Sequence, residues 1–223
     1  MGAQSLFAFG GQTWQALPEG ALVWQERSAL ILADLHFEKA SAYACRGSML
    51  PPYDSVATLD ALEGLMARIR PREVWCLGDS FHDMGACDRM DEGTRRRITR
   101  LTASCRWIWI TGNHDPRPTP DMGGETLHET RVADIILRHE ARPNEAGAEI
   151  SGHFHPKWRL NLRGRLVSRR CFVLSARKLI MPAFGAYAGG LDVAAPVIRA
   201  LVGQGSEALV PISDRLLRFS VPA

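Results

Sequence analysis

Two histidines, His153 and His155, are separated by a single residue in the stretch SGHFHPKW. In an extended chain, alternate residues point the same way, so both imidazoles would project from one face a few ångströms apart. That spacing suits two ligands of one metal ion, or of two neighbouring ions. Packing residues on a strand would show the same spacing, so this stretch alone leaves both interpretations open.

Other polar residues follow short apolar runs that are typical of β-strands. The candidate side chains, in chain order, are Asp34 and His36; Asp79, His82 and Asp83; Asn113, His114 and Asp115; and His139. In an α/β sheet, ligands bind beyond the carboxyl ends of the strands, so we expect these segments to converge. So many imidazoles and carboxylates in one pocket would be costly without a cation. The sequence therefore predicts a metal site, and only His128 lies outside the series, as a structural residue.

The elements that must position these residues alternate in the first half of the chain, as βαβ units do. Helical spacing of apolar residues predicts a helix that begins at Asp54, as N-cap, and ends before Pro71. The second half has closely spaced strands and little helix, which indicates a largely antiparallel sheet returning over the first. The predicted strands are 28–33, 73–77, 106–110, 133–138, 148–151, 158–162 and 171–174, with a second, more polar helix over 91–103.

Length and composition are those of an ordinary globular protein, with 223 residues of which 46% are hydrophobic and 23% charged. We expect a single domain over residues 1–223. The five cysteines are scattered without a C-x-x-C pair, so neither a disulfide framework nor a zinc knuckle is indicated. The apolar run 179–191 is too short to span a membrane, and the N-terminus lacks a signal-peptide layout, so we expect a cytoplasmic protein without a membrane partner.

The net charge of +3 permits an anionic partner without requiring one. Arginine suits bidentate phosphate recognition, and two arginine clusters are dense enough to provide it. A solvated helix face or hairpin edge would explain the same clusters equally well. The clusters are Arg95, Arg96, Arg97 and Arg100 in the first, and Arg163, Arg165, Arg169 and Arg170 in the second.

Taken in order from Asp34 to His155, the motifs D-x-H, G-D-x-x-H, G-N-H-D, H and G-H-x-H resemble those of the calcineurin-like metallophosphoesterase superfamily. The resemblance covers more than half of the chain. It implies an α/β fold in the form of a four-layer αββα sandwich of two mixed sheets. It also implies two divalent metal ions, most often Mn²⁺, with Fe, Zn and Mg as alternatives.

The resemblance assigns a role to each donor position. Asp79 would bridge the two ions, because a carboxylate has two oxygens. A hydroxide bridging the ions would attack phosphorus in line, and His114 would assist the leaving oxygen as general acid or electrostatic stabiliser. The other ligands would be Asp34, His36 and His155 for one ion, and Asn113, His139 and His153 for the other.

Two further positions keep alternative roles. Asp115 could fix the orientation of His114, or it could cap the turn. The second motif reads G-D-S-F-H-D where the common phosphatase version reads G-D-x-x-D-R-G. The histidine version resembles the branch that contains double-strand-break repair nucleases. His82 would then either approach the substrate phosphate or orient a metal ligand.

Residues 179–192, LIMPAFGAYAGGLD, resemble the signature segment of the ligase-associated DNA damage response endonuclease family. Members of that family are encoded beside a DNA ligase and a helicase, which would be candidate partners. Tyr187 would line the mouth of the pocket, and Arg165 and Arg170 would contact substrate. A glycine-rich packing loop is the alternative for this segment.

The sequence thus favours a metal-dependent phosphodiesterase acting on DNA, as an endonuclease in DNA repair. A phosphoesterase for small phosphodiesters or phosphomonoesters would carry the same motifs, because they specify phosphate and metals only. A non-catalytic interaction scaffold is the third hypothesis, although every expected ligand position is filled.

Overall fold

The first of two β-sheets contains seven strands, whose order in space follows their order in the sequence. A computed structural model describes residues 5–117 and 122–222, with Leu162 described by its backbone alone. Strands β1 to β4 pair antiparallel, and β4 to β7 pair parallel. The strands are β1 Leu6–Phe9, β2 Gln12–Ala16, β3 Leu22–Trp24, β4 Ala29–Leu32, β5 Glu73–Leu77, β6 Arg106–Ile110 and β7 Glu125–Leu127.

The second sheet also has seven strands, in the order β16-β15-β13-β14-β10-β9-β8. Its pairings are antiparallel except for β14 with β10 and β10 with β9, so the prediction of a largely antiparallel sheet is confirmed. The strands are β8 Thr130–Val132, β9 Ile135–Leu137, β10 Ala148–Ser151, β13 Phe172–Leu174, β14 Lys178–Ile180, β15 Glu207–Ile212 and β16 Arg215–Ser220.

A separate hairpin interrupts the second sheet between β10 and β13. It consists of β11 (Lys157–Leu162) and β12 (Arg165–Arg170), which pair with each other and with no other strand of the described residues, although Lys157 forms a single bridge with Asp192. The strand expected over 158–162 is therefore present, but the expectation that it joins the second sheet was wrong.

Five α-helices complete the described part of the chain. They are α1 Lys39–Cys45, α2 Asp54–Ile69, α3 Ala86–Arg89, α4 Glu92–Ser104 and α5 Pro196–Val202. Asp91 caps α4, because its carboxylate accepts hydrogen bonds from the amides of Gly93 and Thr94. The expected N-cap role of Asp54 was wrong, since Asp54 is the first residue of α2 and its carboxylate instead accepts the amide of Ala40 in α1, at 2.9 Å.

Alternation along the central strands divides the apolar side chains among three interfaces. Leu30 and Leu32 of β4 pack against α2 and α4, whereas Ile31 faces the other sheet. The outer face of the second sheet packs against Ile198 and Val202 of α5. Helix, sheet, sheet and helix thus form four layers, and the predicted αββα sandwich of two mixed sheets is confirmed.

Within the described residues, no helix is long and apolar enough to cross a membrane. The prediction that the N-terminus lacks a signal-peptide layout includes residues 1–4, which lie outside the described residues. A cytoplasmic location therefore stays a prediction.

Candidate metal centre

The donor residues lie in the loops that follow adjacent strands. Asp34 follows β4, Asp79 follows β5 and Asn113 follows β6, and these three strands are parallel neighbours in the first sheet. His139 and His153 follow β9 and β10, which are parallel neighbours in the second sheet. The centre therefore lies where the carboxyl ends of strands from both sheets meet.

The first donor group consists of Asp34, His36 and His155. Their ligand atoms all lie within 4.8 Å of one another. His155 Nε2 is 3.3 Å from Asp34 Oδ1 and 3.4 Å from His36 Nε2. Asp34 is fully buried, so its carboxylate needs a positive partner.

The second donor group consists of Asp79, Asn113, His139 and His153. His139 Nε2 is 3.4 Å from Asp79 Oδ2 and 2.9 Å from Asn113 Oδ1. His153 Nδ1 is 3.0 Å from Asn113 Oδ1 and 3.1 Å from His139 Nε2. Two oxygens and two ring nitrogens thus lie around a common centre.

Asp79 lies between the two groups. Its Oδ2 atom is 3.4 Å from His139 Nε2 and 4.0 Å from His36 Nε2. Its Oδ1 atom accepts a hydrogen bond from the amide of His114, at 2.9 Å. The carboxylate is therefore fixed with one oxygen facing donors of both groups, as a bridging ligand requires.

The protonation pattern of the rings fits divalent cations. His139 Nδ1 donates to the carbonyl of Leu77 at 3.0 Å, which leaves Nε2 as the free ring nitrogen towards the second group. Burial and the neighbouring His155 lower the pKa of His36 to about 2, so that ring is neutral and offers a lone pair. Neutral imidazoles and carboxylates that converge in this way suit Zn, Mn or Fe ions.

His139 has the opposite behaviour in the metal-free chain. Burial lowers its pKa, but the hydrogen bond to Asp79 and the charge of Asp34 outweigh burial and raise that pKa to about 9. A proton then occupies this ring at neutral pH, in the position where a cation would bind.

Left-handed backbone conformations orient five of the seven donors. The φ angles are 54° for Asp34, 48° for His36, 48° for Asp79, 71° for His153 and 47° for His155. Residues other than glycine rarely adopt this conformation, which costs about 1–2 kcal/mol each. The rest of the fold must therefore hold these turns in place.

This backbone also corrects the expectation for SGHFHPKW. His153 and His155 do not lie on an extended strand, since β10 ends at Ser151 and both residues have positive φ. Their rings join different groups, so the alternative of two neighbouring ions fits the structure better than a shared single ion.

Three glycines of the sequence motifs lie against the donors. A Cβ atom at Gly112 would lie 2.2 Å from Asp79 Oδ1. At Gly152 it would lie 2.5 Å from Asp34 Oδ2, and at Gly78 it would lie 2.4 Å from His139 Nδ1. Each glycine thus makes room for a ligand from a different loop, a contact that sequence spacing does not reveal.

His114 and His82 lie beside the first donor group. The two ring centroids are 5.0 Å apart, and each ring lies within 5.4 Å of the His36 ring. His114 Nδ1 donates to the carbonyl of His82 at 2.6 Å, and its Nε2 lies 3.9 Å from Asp79 Oδ2. His82 is buried, and its Nδ1 has no hydrogen-bond partner among the described residues.

Asp115 contacts the loop after β5 rather than the His114 ring. Its two carboxylate oxygens accept hydrogen bonds from four backbone amides, those of Asp79, Ser80, Phe81 and Gly112, at 2.7–3.1 Å. Of the two roles expected for Asp115, turn capping is the one these contacts favour, and the His82 carbonyl is what orients His114.

The three expected substrate contacts differ in their surroundings. Arg170 is half-buried and donates to the carbonyls of Glu19 and Gly185, at 3.1 and 2.8 Å, so part of its guanidinium binds the protein itself, and its contact with substrate stays a prediction. Arg165 is exposed at the start of β12. Tyr187 is half-buried, and its carbonyl accepts from Lys39 Nζ at 3.1 Å.

Lys39 connects the Tyr187 segment to the centre. Its amine lies 5.9 Å from the ring centroid of Tyr43, and the Tyr43 ring lies 5.7 Å from that of His82. The loop that contains Tyr187 therefore approaches the centre on the His82 side.

The architecture and the donor arrangement together define a metallophosphoesterase-like fold. No protein-family model matches the sequence, and no curated protein matches it either. Among solved structures, the chain is similar to Pseudomonas putida nuclease MPE, with a TM-score of 0.75 and 26% sequence identity, over 97% of this chain and 100% of that chain.

Two other solved structures show a weaker similarity to this chain. One is the Escherichia coli phosphoesterase Yfce, with a TM-score of 0.42 and 12% identity over 87% of this chain and 99% of that one. The other is protein AQ665 of unknown function from Aquifex aeolicus, with a TM-score of 0.36 and 15% identity over 51% of this chain and 60% of that one.

Proposed function

We propose that this chain is a two-metal-dependent phosphodiesterase that cleaves DNA as an endonuclease in DNA repair. The observation that carries the proposal is the position of Asp79, whose Oδ2 atom faces donors of both groups. Two separate cation sites that share one carboxylate are the arrangement used for hydrolysis of phosphate esters. The similarity to a solved nuclease over the full length of that protein supports the same class of reaction.

Each of the two ions would have its own set of ligands. Asp34, His36 and His155 would hold one ion, and Asn113, His139 and His153 the other, with Asp79 shared. When bound, two divalent ions, which we expect to be Mn²⁺, neutralise charge on the phosphoryl oxygens and make water a stronger nucleophile.

His114 would act on the leaving oxygen. The His82 carbonyl fixes the Nδ1 proton, so Nε2 is the nitrogen that can gain and release a proton on the side of the centre. The half-exposed position of His114 lets a substrate oxygen reach it. His82, whose ring centroid lies 5.0 Å from that of His114, would approach the substrate phosphate from the same side, although its Nδ1 atom is itself buried.

The repair role depends on the segment 179–192. Its resemblance to the ligase-associated endonuclease family supports DNA as substrate and suggests a DNA ligase and a helicase as partners. A substrate panel separates this proposal from a small-molecule phosphoesterase. If the protein hydrolyses aryl phosphodiesters but leaves single-stranded and nicked DNA uncleaved, the small-molecule activity is favoured.

The direct test is turnover of bis-p-nitrophenyl phosphate by metal-stripped protein, before and after addition of Mn²⁺. Asp79→Asn should abolish the metal-dependent turnover and lower the metal content, because it weakens the shared ligand. The matched control is Asp134→Asn, which makes the same change in the turn between β8 and β9, also at positive φ (63°). Equal turnover and metal content in the two variants would refute the assignment of Asp79.

A further inference from the structure

The β11–β12 hairpin is the most basic surface element near the centre. Residues 157–170 contain six basic residues and no acidic one, and no acidic residue occurs anywhere from 151 to 191. The hairpin begins two residues after the metal donor His155. Its charge therefore starts beside the centre and continues outward along the ribbon.

The base of the hairpin is anchored on two sides. The Trp158 ring stacks on Phe219 of β16, with centroids 4.6 Å apart and 12° between the planes. Arg170 donates to the carbonyls of Glu19 and Gly185. The amide of Lys157 donates to the carbonyl of Leu191, at 2.8 Å. These contacts hold the base next to the loop that contains Tyr187.

The far end of the hairpin has free guanidinium groups. Arg163 and Gly164 form the turn with φ of 52° and 79°, the signs of a tight type I′ turn that keeps the two strands in register. Arg163 and Arg165 are exposed and have no hydrogen-bond or ion-pair partner among the described residues. Six residues per strand give the ribbon a length of about 20 Å.

The arginine cluster on α4 contrasts with this. Arg97 forms ion pairs with Asp60 and Glu63 of α2, at 2.6 and 2.8 Å. Arg95 donates to the carbonyl of Cys87. Arg95 and Arg97 are thus occupied in packing α4 onto its neighbours, whereas Arg163 and Arg165 at the far end of the hairpin have no such partner among the described residues.

We propose that the β11–β12 hairpin binds the phosphate backbone of a DNA strand whose scissile phosphate lies at the metal centre. The inference rests on the proposed function and extends it from phosphodiesters in general to a polynucleotide. Guanidinium groups make bidentate contacts to phosphate, and their number and spacing favour contacts that do not depend on sequence. Such binding releases counterions, so it weakens steeply as salt rises.

The test compares two variants that remove two positive charges each. Arg163→Gln with Arg165→Gln changes the hairpin, and Arg96→Gln with Arg100→Gln changes exposed positions of α4 as the matched control. Binding of the Mn²⁺-loaded proteins to a fluorescent single-stranded oligonucleotide with hydrolysis-resistant phosphorothioate linkages is followed by anisotropy, from about 50 to 200 mM salt. Cleavage of unmodified DNA and turnover of bis-p-nitrophenyl phosphate are measured in parallel.

We expect the hairpin variant to bind the oligonucleotide at least about tenfold more weakly. The slope of its log K against log salt should be less negative than that of wild type, by about 1.4. Its DNA cleavage should fall accordingly, while turnover of the aryl diester stays at the wild-type level. The α4 variant should resemble wild type in all measurements.

The inference is overturned if the hairpin variant binds DNA like wild type, if the α4 variant loses as much affinity, or if wild type does not bind DNA. Failure of the proposed function gives a different pattern, in which wild type hydrolyses neither the aryl diester nor DNA with any divalent ion. Even in that case, the binding comparison of the two variants decides the role of the hairpin.

Discussion

His114 lies beside the metal donors but belongs to neither of the two donor groups. Its Nδ1 proton goes to the His82 carbonyl, and its side chain remains 37% exposed. We therefore expect His114→Ala to keep its metal while cleavage of DNA, whose leaving alkoxide requires a proton, falls by ~10²–10⁴-fold, the contribution typical of a general acid. Metal content and kcat, measured on the same preparation, check this.

His139→Ala is the comparison for that variant. It removes a ligand from the second donor group, so it should lose both metal and turnover. If His114→Ala lost its metal to the same extent, His114 would be a ligand or a structural support.

Protons and metal compete at His139. With a pKa of about 9 in the metal-free chain, this ring is protonated at pH 7, and an ion must displace that proton. Metal affinity should therefore rise with pH until about pH 9, because less proton has to be removed. Calorimetric titration of Mn²⁺ at pH 7, in two buffers of different ionisation enthalpy, should show release of about one proton. Identical heats in the two buffers would contradict the raised pKa.

The individual donor residues were the part of this site that the sequence predicted best. Asp34, Asp79 and Asn113 could be recognised because each follows an apolar strand, and strand ends meet at one edge of a sheet. Turn capping was one of two roles expected for Asp115, but its four partners could not be predicted, because they lie in two loops whose contact depends on the whole sheet. The motif G-N-H-D includes Gly112, but the contact of this glycine with Asp79 could not be predicted for the same reason.

At the scale of the elements, the loops after β5 and β6 must lie close together. Gly112 in the second loop has no space for a side chain, since a Cβ atom would meet Asp79 Oδ1 at 2.2 Å. We expect Gly112→Ala to displace the shared carboxylate and to reduce metal content and turnover strongly. The layers of the fold lie elsewhere, so its far-ultraviolet circular dichroism should match that of wild type.

Gly64→Ala is the matched control for this substitution. Gly64 lies inside α2 with no atom near the position of an added Cβ. Alanine should raise stability there by about 1 kcal/mol, because it favours the helix, and should leave metal content unchanged. Wild-type metal content in Gly112→Ala would mean that the loops can separate without cost to the centre.

The predictability of the elements depended on how local their signals were. The bounds of helix α4 were predicted to within one residue, because its N-cap, Asp91, directly precedes it in the sequence and could be recognised there. The strands β1 to β3 were missed, although Gly10 and Gly11 between two short apolar runs are a hairpin signal. The partner of β11 was misjudged because nothing in a single strand says whether it joins a sheet or a hairpin.

At the scale of the whole molecule, the candidate metal centre connects the two sheets. Asp34, Asp79 and Asn113 follow strands of the first sheet, and His139 and His153 follow strands of the second. Ions bound there stabilise the folded chain and not the unfolded one. Removal of Mn²⁺ should therefore lower the free energy of unfolding by about 2.7 kcal/mol per site, relative to ion at 100 times its Kd.

Thermal unfolding with EDTA and with Mn²⁺ measures this effect. A loss of one site corresponds to a fall in Tm of roughly 5–10 °C for a chain of this size. Asp134→Asn should show the full shift and Asp79→Asn a much smaller one. An unchanged Tm in wild type would show that the sheets do not depend on ions for their association.

The strand order of the first sheet has a consequence for synthesis. Because β1 to β7 are neighbours in the order in which they leave the ribosome, this sheet can assemble while the rest of the chain is still being made. At that stage Asp34, Asp79 and Asn113 are present, but His139, His153 and His155 are not yet translated. On the proposed ligand assignment, a nascent chain would offer each ion only part of its ligands, and metal loading would wait until translation has passed His155 and the second sheet has docked.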